Sequence, residues 1–253
     1  MKPTILEAKG VCKSFAHNGG QNHVLSHVNL KVYEGDFTVI MGASGSGKST
    51  LLYALSGMDR ATAGEVLYQG KNLVGMKEKE LAKLRHTDFG FIFQQMHLVS
   101  NLSLFENIAV SGYLNKEKTV AQVKARTETL LARMGITEVK THLPSQVSGG
   151  EQQRCAIARG VVNEPRVLFA DEPTGALNRK NTTEVLDLLT DLNRDGQSIV
   201  MVTHDMRAAL RATRLLYLED GKVIGELSLP PYDSEEEKSR ETQVNAWLSS
   251  MKW

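Results

Sequence analysis

A run of small, basic and hydroxyl residues at 42–50, GASGSGKST, has the composition and spacing of a phosphate-binding loop. Glycines at 42, 45 and 47 let the backbone turn tightly, so that its N–H groups point inward at an anion. Lys48 can then reach the terminal phosphates of a nucleotide, and the Ser49 hydroxyl can bind Mg²⁺. The residues assigned to nucleotide binding by this pattern are Gly42, Ser44, Gly45, Ser46, Gly47, Lys48, Ser49 and Thr50.

Two adjacent carboxylates, Asp171 and Glu172, end the apolar run RVLFADE at 166–172. Because successive side chains of a strand point in opposite directions, the two carboxylates cannot share one task. We expect Asp171 to hold the Mg²⁺ shell across from Ser49, and Glu172 to act as general base toward an attacking water. The alternative is that both only form the acidic start of the following helix, where carboxylates are common.

The segment VSGGEQQR at 147–154 carries a second candidate anion site. Ser148, Gly149 and Gly150 precede a helical pattern that begins near Glu151, so backbone N–H groups and a hydroxyl donor meet at a helix start. In a simpler interpretation, Ser148 only caps that helix. The functional interpretation predicts a second phosphate-binding surface in the same chain.

Alternating strand and helix patterns would position these segments. The apolar run Phe37–Met41 precedes the phosphate loop and the helical pattern LLYALSG follows it, which argues against a chance glycine-rich turn. Further patterns predict strands at 5–13, 24–32, 64–68, 89–93, 167–170, 199–203 and 215–219, and a helix at 77–85. Such alternation predicts an α/β fold with a mostly parallel sheet.

Two stretches are helical without strands. Residues 103–143 predict an all-helical subdomain, with one apolar face made of Val120, Val123, Leu130, Leu131 and Met134. From Pro230 onward, a Pro-Pro pair and an acidic run lead into an amphipathic segment whose apolar face carries Val244, Trp247, Leu248 and Met251. We expect this tail to pack back on the rest of the chain, and contact with a partner is the alternative.

Composition limits the classes of partner. The chain has 253 residues, with 30 Lys and Arg against 29 Asp and Glu, which gives no electrostatic footprint for nucleic acid or an anionic membrane. No apolar run is long enough to span a bilayer, and the start MKPTILEAKG lacks the apolar stretch of a signal peptide. Cys12 and Cys155 have no metal-ligand spacing. We therefore expect a soluble, cytosolic chain with reduced thiols and no nucleic-acid partner.

In order and spacing, these motifs resemble those of the ATP-binding subunits of ABC transporters over nearly all of residues 4–228. The resemblance implies a P-loop NTPase core with a small antiparallel β subdomain and a helical subdomain at about 95–160. It places the ATPase domain at 1–230 and an amphipathic tail at 231–253. It also implies that SGG at 148–150 contacts the γ-phosphate of an ATP held by a second copy, in a head-to-tail dimer that encloses two ATP molecules.

The resemblance assigns roles to three more residues. Phe15, in KSF, would stack on adenine, and Gln94 would approach Mg²⁺ and the attacking water. His204, near the end of IVMVTHD, would hydrogen-bond the γ-phosphate and position Glu172 and the water. The catalytic candidates are thus Glu172, His204 and Gln94, and the metal candidates are Ser49, Gln94 and Asp171. Simpler alternatives are a core position for Phe15, a solvated loop for Gln94 and a strand-end cap for His204.

Three positions depart from the usual family pattern. The segment at 147–154 corresponds to the signature motif of the family and is called the signature segment. In it, Val147 stands where Leu is usual, and Glu151 stands where the fifth position is often Gln. Asn178, in PTGALN after Glu172, stands where Asp is more common, and it keeps a carbonyl acceptor but loses the charge. The loss weakens the expectation of a salt bridge across the dimer at Asn178, and it leaves the nucleotide site unaffected.

The segments VIMGASGSGKSTLLYALSGMD, GFIFQQ, LFADEPTGAL and MVTHD are similar to one branch of the family. That branch holds lipoprotein-release, macrolide-efflux and cell-division ATPases, and the BceA-like ATPases of antimicrobial-peptide resistance, which this chain resembles most. The resemblance implies an FtsX-type integral membrane permease, driven by mechanotransmission, with the chain peripheral on the inner face of the membrane. Residues 94–107 would face the permease, and their apolar members Met96, Leu98, Leu102 and Phe105 either dock it or belong to ordinary core.

Other classes stay as alternatives. Soluble ABC ATPases of DNA repair or translation share the motifs, but they usually carry a coiled-coil insertion or a second nucleotide domain, and the charge balance argues against nucleic acid. A cell-division-type regulatory ATPase and a scaffold that binds ATP without hydrolysing it also share them. The presence of Glu172, Gln94 and His204 argues against the scaffold.

Overall fold

The structure is a computed structural model that describes residues 2–17 and 20–251. The helices and strands, in chain order, are β1 (Thr4–His17), β2 (Gly20–Tyr33), β3 (Phe37–Met41), α1 (Lys48–Leu55), β4 (Ala63–Tyr68), β5 (Lys71–Asn72), α2 (Glu78–Thr87), β6 (Phe89–Phe93), α3 (Leu104–Tyr113), α4 (Val120–Arg133), α5 (Gly149–Val161), β7 (Val167–Asp171), α6 (Arg179–Arg194), β8 (Ser198–Val202), α7 (Met206–Ala209), β9 (Arg214–Glu219), β10 (Lys222–Ser228) and α8 (Glu237–Ser250). Contacts divide the chain into two compact units: residues up to 81 together with those from 192 onward, and residues 82–191.

The first unit contains two groups of strands. An antiparallel sheet has the order β2-β1-β4-β5. Elsewhere in this unit, β3 lies between β8 and β9 in parallel, and β10 pairs with β9 in antiparallel register. Every residue of β3 and of β8 is buried. Burial on both faces explains why these strands are continuous apolar runs and do not alternate with polar residues.

The predicted strands of the first unit are all present, and the structure adds to them. β1 and β2 form a longer ribbon than expected, from Thr4 opposite Tyr33 to His17 opposite Gly20. β10 was not predicted, because it alternates between exposed and half-buried residues and its apolar pattern is interrupted by Gly225. An edge strand of this kind is defined by its pairing with β9, which lies outside any local sequence window.

The second unit is mostly helical. Its strands β6 and β7 pair in parallel, from Phe89 opposite Val167 to Phe93 opposite Asp171. Helices α3, α4 and α5 pack on one another, and α5 lies against β6. The approach is close, since a Cβ atom on Gly90 of β6 would lie 2.2 Å from the Gly160 carbonyl oxygen of α5.

Local sequence signals define the starts of α3 and α4. Ser103 and Thr119 are their N-caps, and each forms a reciprocal capping box with the residue three positions on. The predicted apolar face of α4 is buried at Val123, Leu130, Leu131 and Met134. Val120 corrects that prediction, because it is 59% exposed at the first position of the helix, directly after its cap.

The C-terminal helix α8 is part of the first unit and packs within it. Val244 and Leu248 are fully buried, as the amphipathic pattern predicts. Trp247 and Met251 cover β10 at Gly225, where a Cβ atom would lie 2.6 Å from the Met251 sulfur. Among residues 2–17 and 20–251, no helix is both long and apolar enough to cross a bilayer.

Candidate functional site

The phosphate loop lies between β3 and α1, where the sequence predicts it. Gly45 and Gly47 have φ values of 82° and 99°, a left-handed conformation that favours glycine. At Gly42 the constraint is steric, because a Cβ atom there would lie 2.1 Å from the Leu218 carbonyl oxygen of β9. The glycine pattern is therefore required by the backbone path of the loop in the first unit.

The loop carries several hydrogen-bond donors. The buried Lys48 ammonium donates hydrogen bonds of 2.9 Å to the carbonyl oxygens of Gly42 and Ala43. The Ser46 hydroxyl is buried in the same loop and makes no hydrogen bond to another protein group. α1 begins directly after the loop, so its N-terminal N–H groups and positive dipole end face the same region. This set of donors fits a phosphate group.

The other two predicted residues of the first unit are accessible. Phe15 on β1 is 43% exposed, which rules out the alternative of a core position. Its ring lies 4.8 Å from the Lys13 ammonium, which is itself held by a 2.6 Å ion pair to Asp59. His204 follows β8 and is exposed. Both side chains are therefore accessible to a ligand that binds from solvent.

In the second unit the structure brings Gln94 and the loop after β7 together. The register of β6 and β7 places Phe93 opposite Asp171, so Gln94 and Glu172 leave the same edge of the sheet. A Cβ atom on Gly175 would lie 2.8 Å from the Gln94 amide nitrogen, so this side chain lies against the loop that follows Glu172. Asp171 is buried, whereas Glu172 is half-buried with a φ of 45°, a strained backbone for a non-glycine residue.

Two residues that sequence reasoning missed hold the segment after Gln94. Arg159 of α5 donates hydrogen bonds of 2.6 Å to the carbonyl oxygens of Met96 and His97. Burial lowers the pKa of its guanidinium. Asn107 of α3 is buried, accepts a 2.7 Å hydrogen bond from the Val99 amide and donates to nearby carbonyls. No local pattern distinguishes these side chains from ordinary helix residues.

The signature segment caps helix α5. Ser148 is its N-cap, and the Ser148 hydroxyl donates a 2.7 Å hydrogen bond to the Glu151 carboxylate and accepts one of 3.3 Å from the Glu151 amide. The capping interpretation of Ser148 is therefore confirmed, and these hydrogen bonds lower the pKa of Glu151. Gly149 and Gly150 follow, and a Cβ atom on Gly150 would lie 2.6 Å from the side chain of Asn181.

Asn178 has a structural role that the sequence analysis did not assign. It stands directly before α6, and its side-chain oxygen accepts a 2.9 Å hydrogen bond from the Asn181 amide. This is the geometry of an N-cap, a position at which Asn and Asp are equally favoured. The replacement of the more common Asp therefore keeps the local structure of α6.

The comparisons with known proteins identify the family. A family model described as ABC transporter matches residues 25–175, which include the phosphate loop, Gln94, the signature segment and both carboxylates. The chain belongs to the ABC transporter family. Within that family it is an ATP-binding cassette, an ATPase with an α/β P-loop fold, so the predicted fold class and enzyme class are confirmed.

Several solved ABC cassettes have a similar fold. The dimeric bacterial cassette MJ0796 has a TM-score of 0.83 and 36% identity, covering 90% of this chain and all of that one. A post-hydrolysis state of MJ0796, bound to ADP and Pi, has the same scores. CbiO1 of Clostridium perfringens, part of the ABC transporter complex cbiONQ, has a TM-score of 0.79 and 28% identity over 98% of this chain and 97% of its own.

Curated relatives point to the predicted branch. The macrolide export ATP-binding/permease protein MacB of Pasteurella multocida is 39% identical over 99% of this chain and 38% of its own length. MacB of Wolinella succinogenes is 43% identical over 88% of this chain and 34% of its own length. This cassette thus spans little more than a third of these relatives.

Proposed function

We propose that two copies of this cassette bind two molecules of Mg-ATP head to tail and drive a membrane permease by closing and reopening. The observation that carries the proposal is the phosphate loop. Its buried Lys48 ammonium, the buried Ser46 hydroxyl and the start of α1 form a set of donors suited to phosphate. Phe15, being exposed, is available to stack on adenine.

The candidate oxygen ligands suit Mg²⁺ only when the nucleotide is also bound. Among the described residues, no three His, Cys, Asp or Glu side chains form a metal-binding cluster. Mg²⁺ is generally held by one or two protein carboxylates, and waters and substrate phosphates complete most of its shell. We assign the protein oxygens to Ser49, Gln94 and Asp171. When bound, the ion would neutralise charge on the phosphates.

The roles of the catalytic candidates follow their surroundings. Glu172 is half-buried on a strained backbone beside Asp171, and we assign it as the general base for water. The Gln94 side chain lies on the loop after Glu172. A movement of the segment after Gln94 would therefore displace that loop. We assign His204, on the first unit, to a hydrogen bond with the γ-phosphate.

The second copy would supply Ser148, Gly149 and Gly150. The dimeric solved structure of MJ0796, at 36% identity, supports such a pairing of cassettes. Here the helix start of α5 presents glycine N–H groups next to the Ser148 hydroxyl. ATP would then hold two copies together, and its hydrolysis would release them.

The Glu172→Gln variant tests this mechanism. It should keep ATP binding, lose hydrolysis and trap an ATP-bound dimer, which size-exclusion chromatography with light scattering would detect. Ser148→Arg should also abolish hydrolysis while the monomer still binds ATP, because a bulky cation would occupy the signature surface. Glu138→Gln, at an exposed site on the second unit, is the matched control. Normal hydrolysis by Glu172→Gln would refute the role assigned to Glu172.

A groove on the second unit supports a permease partner. It has a volume of about 390 Å³, and α2, β6, α3 and α5 line it. Val99, Val110 and Leu114 are exposed there, next to Arg85 and Arg159. The four apolar residues predicted to dock the permease, Met96, Leu98, Leu102 and Phe105, are all half-buried. Two of them, Leu102 and Phe105, line another groove, which has a volume of about 620 Å³.

Co-purification from solubilised membranes tests for an FtsX-type permease. Val110→Asp and Leu114→Asp should reduce capture of the permease, because a carboxylate in an apolar contact costs free energy. Ile224→Asp changes an equally exposed apolar residue of the first unit and should leave capture unchanged. Capture of no membrane protein by the wild-type chain would favour the soluble ABC ATPase class, and capture would place the chain at the inner membrane face.

The transported molecule divides the branch further. The MacB relatives are macrolide export proteins, whereas the sequence segments resemble BceA-like ATPases of antimicrobial-peptide resistance. We propose the latter class, with an ATP cycle that moves the extracellular parts of the permease. ATP turnover of the purified complex should then rise with peptide antibiotics and not with macrolides. The reverse result would assign the complex to macrolide export.

A further inference from the structure

The segment that carries His204 is held at its N-terminal side by local hydrogen bonds. The Asp205 amide donates a 3.0 Å hydrogen bond to the Thr203 hydroxyl. The Asp205 side chain caps α7 by accepting a 2.9 Å hydrogen bond from the Arg207 amide. α7 itself is a single turn of four residues. A helix this short is not stable alone, so contacts at its two ends determine where it lies.

The C-terminal side of the same segment is held by the tail of the chain. Arg240 of α8 is 4% exposed, and its guanidinium donates hydrogen bonds to the carbonyl oxygens of Leu210, at 2.6 Å, and Ala212. A third bond, of 2.9 Å, goes to the Pro230 carbonyl. The first two bonds hold the backbone that directly follows α7, at Leu210 and Ala212. The planar, multidentate guanidinium makes the attachment directional.

The stretch that precedes α8 is also held in place, through Tyr232. The Arg211 guanidinium lies 4.0 Å from the centre of the Tyr232 ring, which is a cation–π contact. Arg194 of α6 donates a 3.1 Å hydrogen bond to the Tyr232 carbonyl. The Tyr232 hydroxyl bonds to the Glu237 carboxylate at the start of α8. The tail is therefore joined to Arg211, two residues beyond the end of α7, and to Arg194 at the end of α6.

We propose that Arg240 is a positioning residue for His204, so that the C-terminal helix takes part in ATP hydrolysis without touching the nucleotide. Thr203 and Asp205 fix one end of the segment, Arg240 fixes the other, and the buried Ala208 between them fills the space under α7. Loss of the Arg240 contacts would let α7 shift and carry His204 with it. This inference rests on the proposed role of His204 at the γ-phosphate.

Steady-state ATPase kinetics of the full chain, at concentrations that allow dimerisation, test the proposal. Arg240→Met should lower kcat about tenfold, the effect expected of a small misplacement of a catalytic group, with ATP binding to the monomer within twofold of wild type. Arg240→Lys, which keeps the charge but not the fork, should be intermediate. Val244→Ala, a buried change on the same helix that leaves Arg240 in place, is the control for general loosening of α8.

A double-mutant cycle separates this proposal from the one it rests on. His204→Ala should abolish most hydrolysis, and adding Arg240→Met to it should lower kcat by less than twofold, because both changes act through one group. If His204→Ala hydrolyses ATP normally, the proposed role of His204 is wrong. If His204→Ala is impaired but the two losses multiply, only the positioning role of Arg240 is overturned. If Arg240→Met does not fold, Arg240→Lys and Val244→Ala still test the positioning role of Arg240. Equal losses of kcat in these two variants, at equal melting temperature, would overturn that role.

Discussion

Replacing Glu151 by Gln should tighten the ATP-dependent dimer. In the free chain the Ser148 hydroxyl donates to the Glu151 carboxylate at 2.7 Å, so its only proton is committed within the signature segment. A phosphate of the opposite ATP would have to compete with that carboxylate for the same proton. Gln keeps the capping-box geometry, since Glu and Gln are interchangeable at this position, but it is a weaker, uncharged acceptor.

The expected gain follows from hydrogen-bond strengths. A hydrogen bond to a charged group contributes about 1.5–3 kcal/mol, against about 0.5–1.5 kcal/mol for a neutral pair, so the release of Ser148 becomes easier by about 1 kcal/mol. A symmetric dimer has two such sites, which gives about 2 kcal/mol, or about a 30-fold lower dissociation constant. The isolated chain should lose about 0.5 kcal/mol of stability, because a carboxylate at a helix start is favourable.

The pH of the measurement matters for this comparison. Hydrogen bonds from Ser148 lower the pKa of Glu151. The stabilisation that the carboxylate gives is therefore present above the ordinary glutamate pKa, and it is lost as the pH falls through the lowered value. At neutral pH the wild-type side chain is charged, so the difference between Glu and Gln is fully expressed there.

Sedimentation velocity of the ATP-bound chain in a Glu172→Gln background would measure the dimer. The added Glu151→Gln change should shift the association curve to about 30-fold lower protein concentration. Glu138→Gln in the same background should not shift it. An unchanged or weaker dimer, with the melting temperature nearly preserved, would show that Ser148 does not donate to the ATP of the second copy.

Three further predictions concern the local structure. Asn178→Ala should lower the free energy of unfolding by about 1 kcal/mol through loss of the α6 cap, whereas Asn178→Asp should match or exceed wild type in urea denaturation. Gly90→Ala should cost about 1–3 kcal/mol because its Cβ would meet the Gly160 carbonyl at 2.2 Å, whereas Gly75→Ala, in open space, should be nearly neutral in the same assay. Burial raises the pKa of the Cys155 thiol to about 12. Its alkylation by iodoacetamide should therefore be undetectable from pH 7 to 9 in the folded chain and rapid in urea. Modification of Cys155 under native conditions would contradict this prediction.

Sequence reasoning was most successful where the signal is local. The bounds of β6 match the predicted strand at 89–93, and the phosphate loop lies on the predicted strand and helix. Caps at Ser148 and, unrecognised in the sequence analysis, at Asn178 involve residues only three positions apart. Asn178 was readable in principle, because Asn directly before a helical pattern is an N-cap signal.

Sequence reasoning was less successful where a residue's environment comes from distant chain segments. Val120 fits the apolar periodicity of α4 yet is exposed, since periodicity does not say where the covering elements end. Arg159 binds carbonyls 62 and 63 residues away in sequence, and no spacing rule relates such positions. The candidate site residues stay predictions from local motifs, whereas the contacts of Arg159 and Asn107 with the segment after Gln94 come only from the fold.

The family, the phosphate loop, the adjacent pair of carboxylates and the cap at Ser148 could be recognised from the sequence alone, because each depends on a few neighbouring residues with fixed local geometry. The contact of Gln94 with the loop after Glu172, and that of Arg240 with the backbone after α7, arise only in the folded chain. The physical reason is that these contacts form between surfaces brought together by burial of apolar side chains. Burial is a property of the whole folded unit, and no short stretch of sequence encodes it.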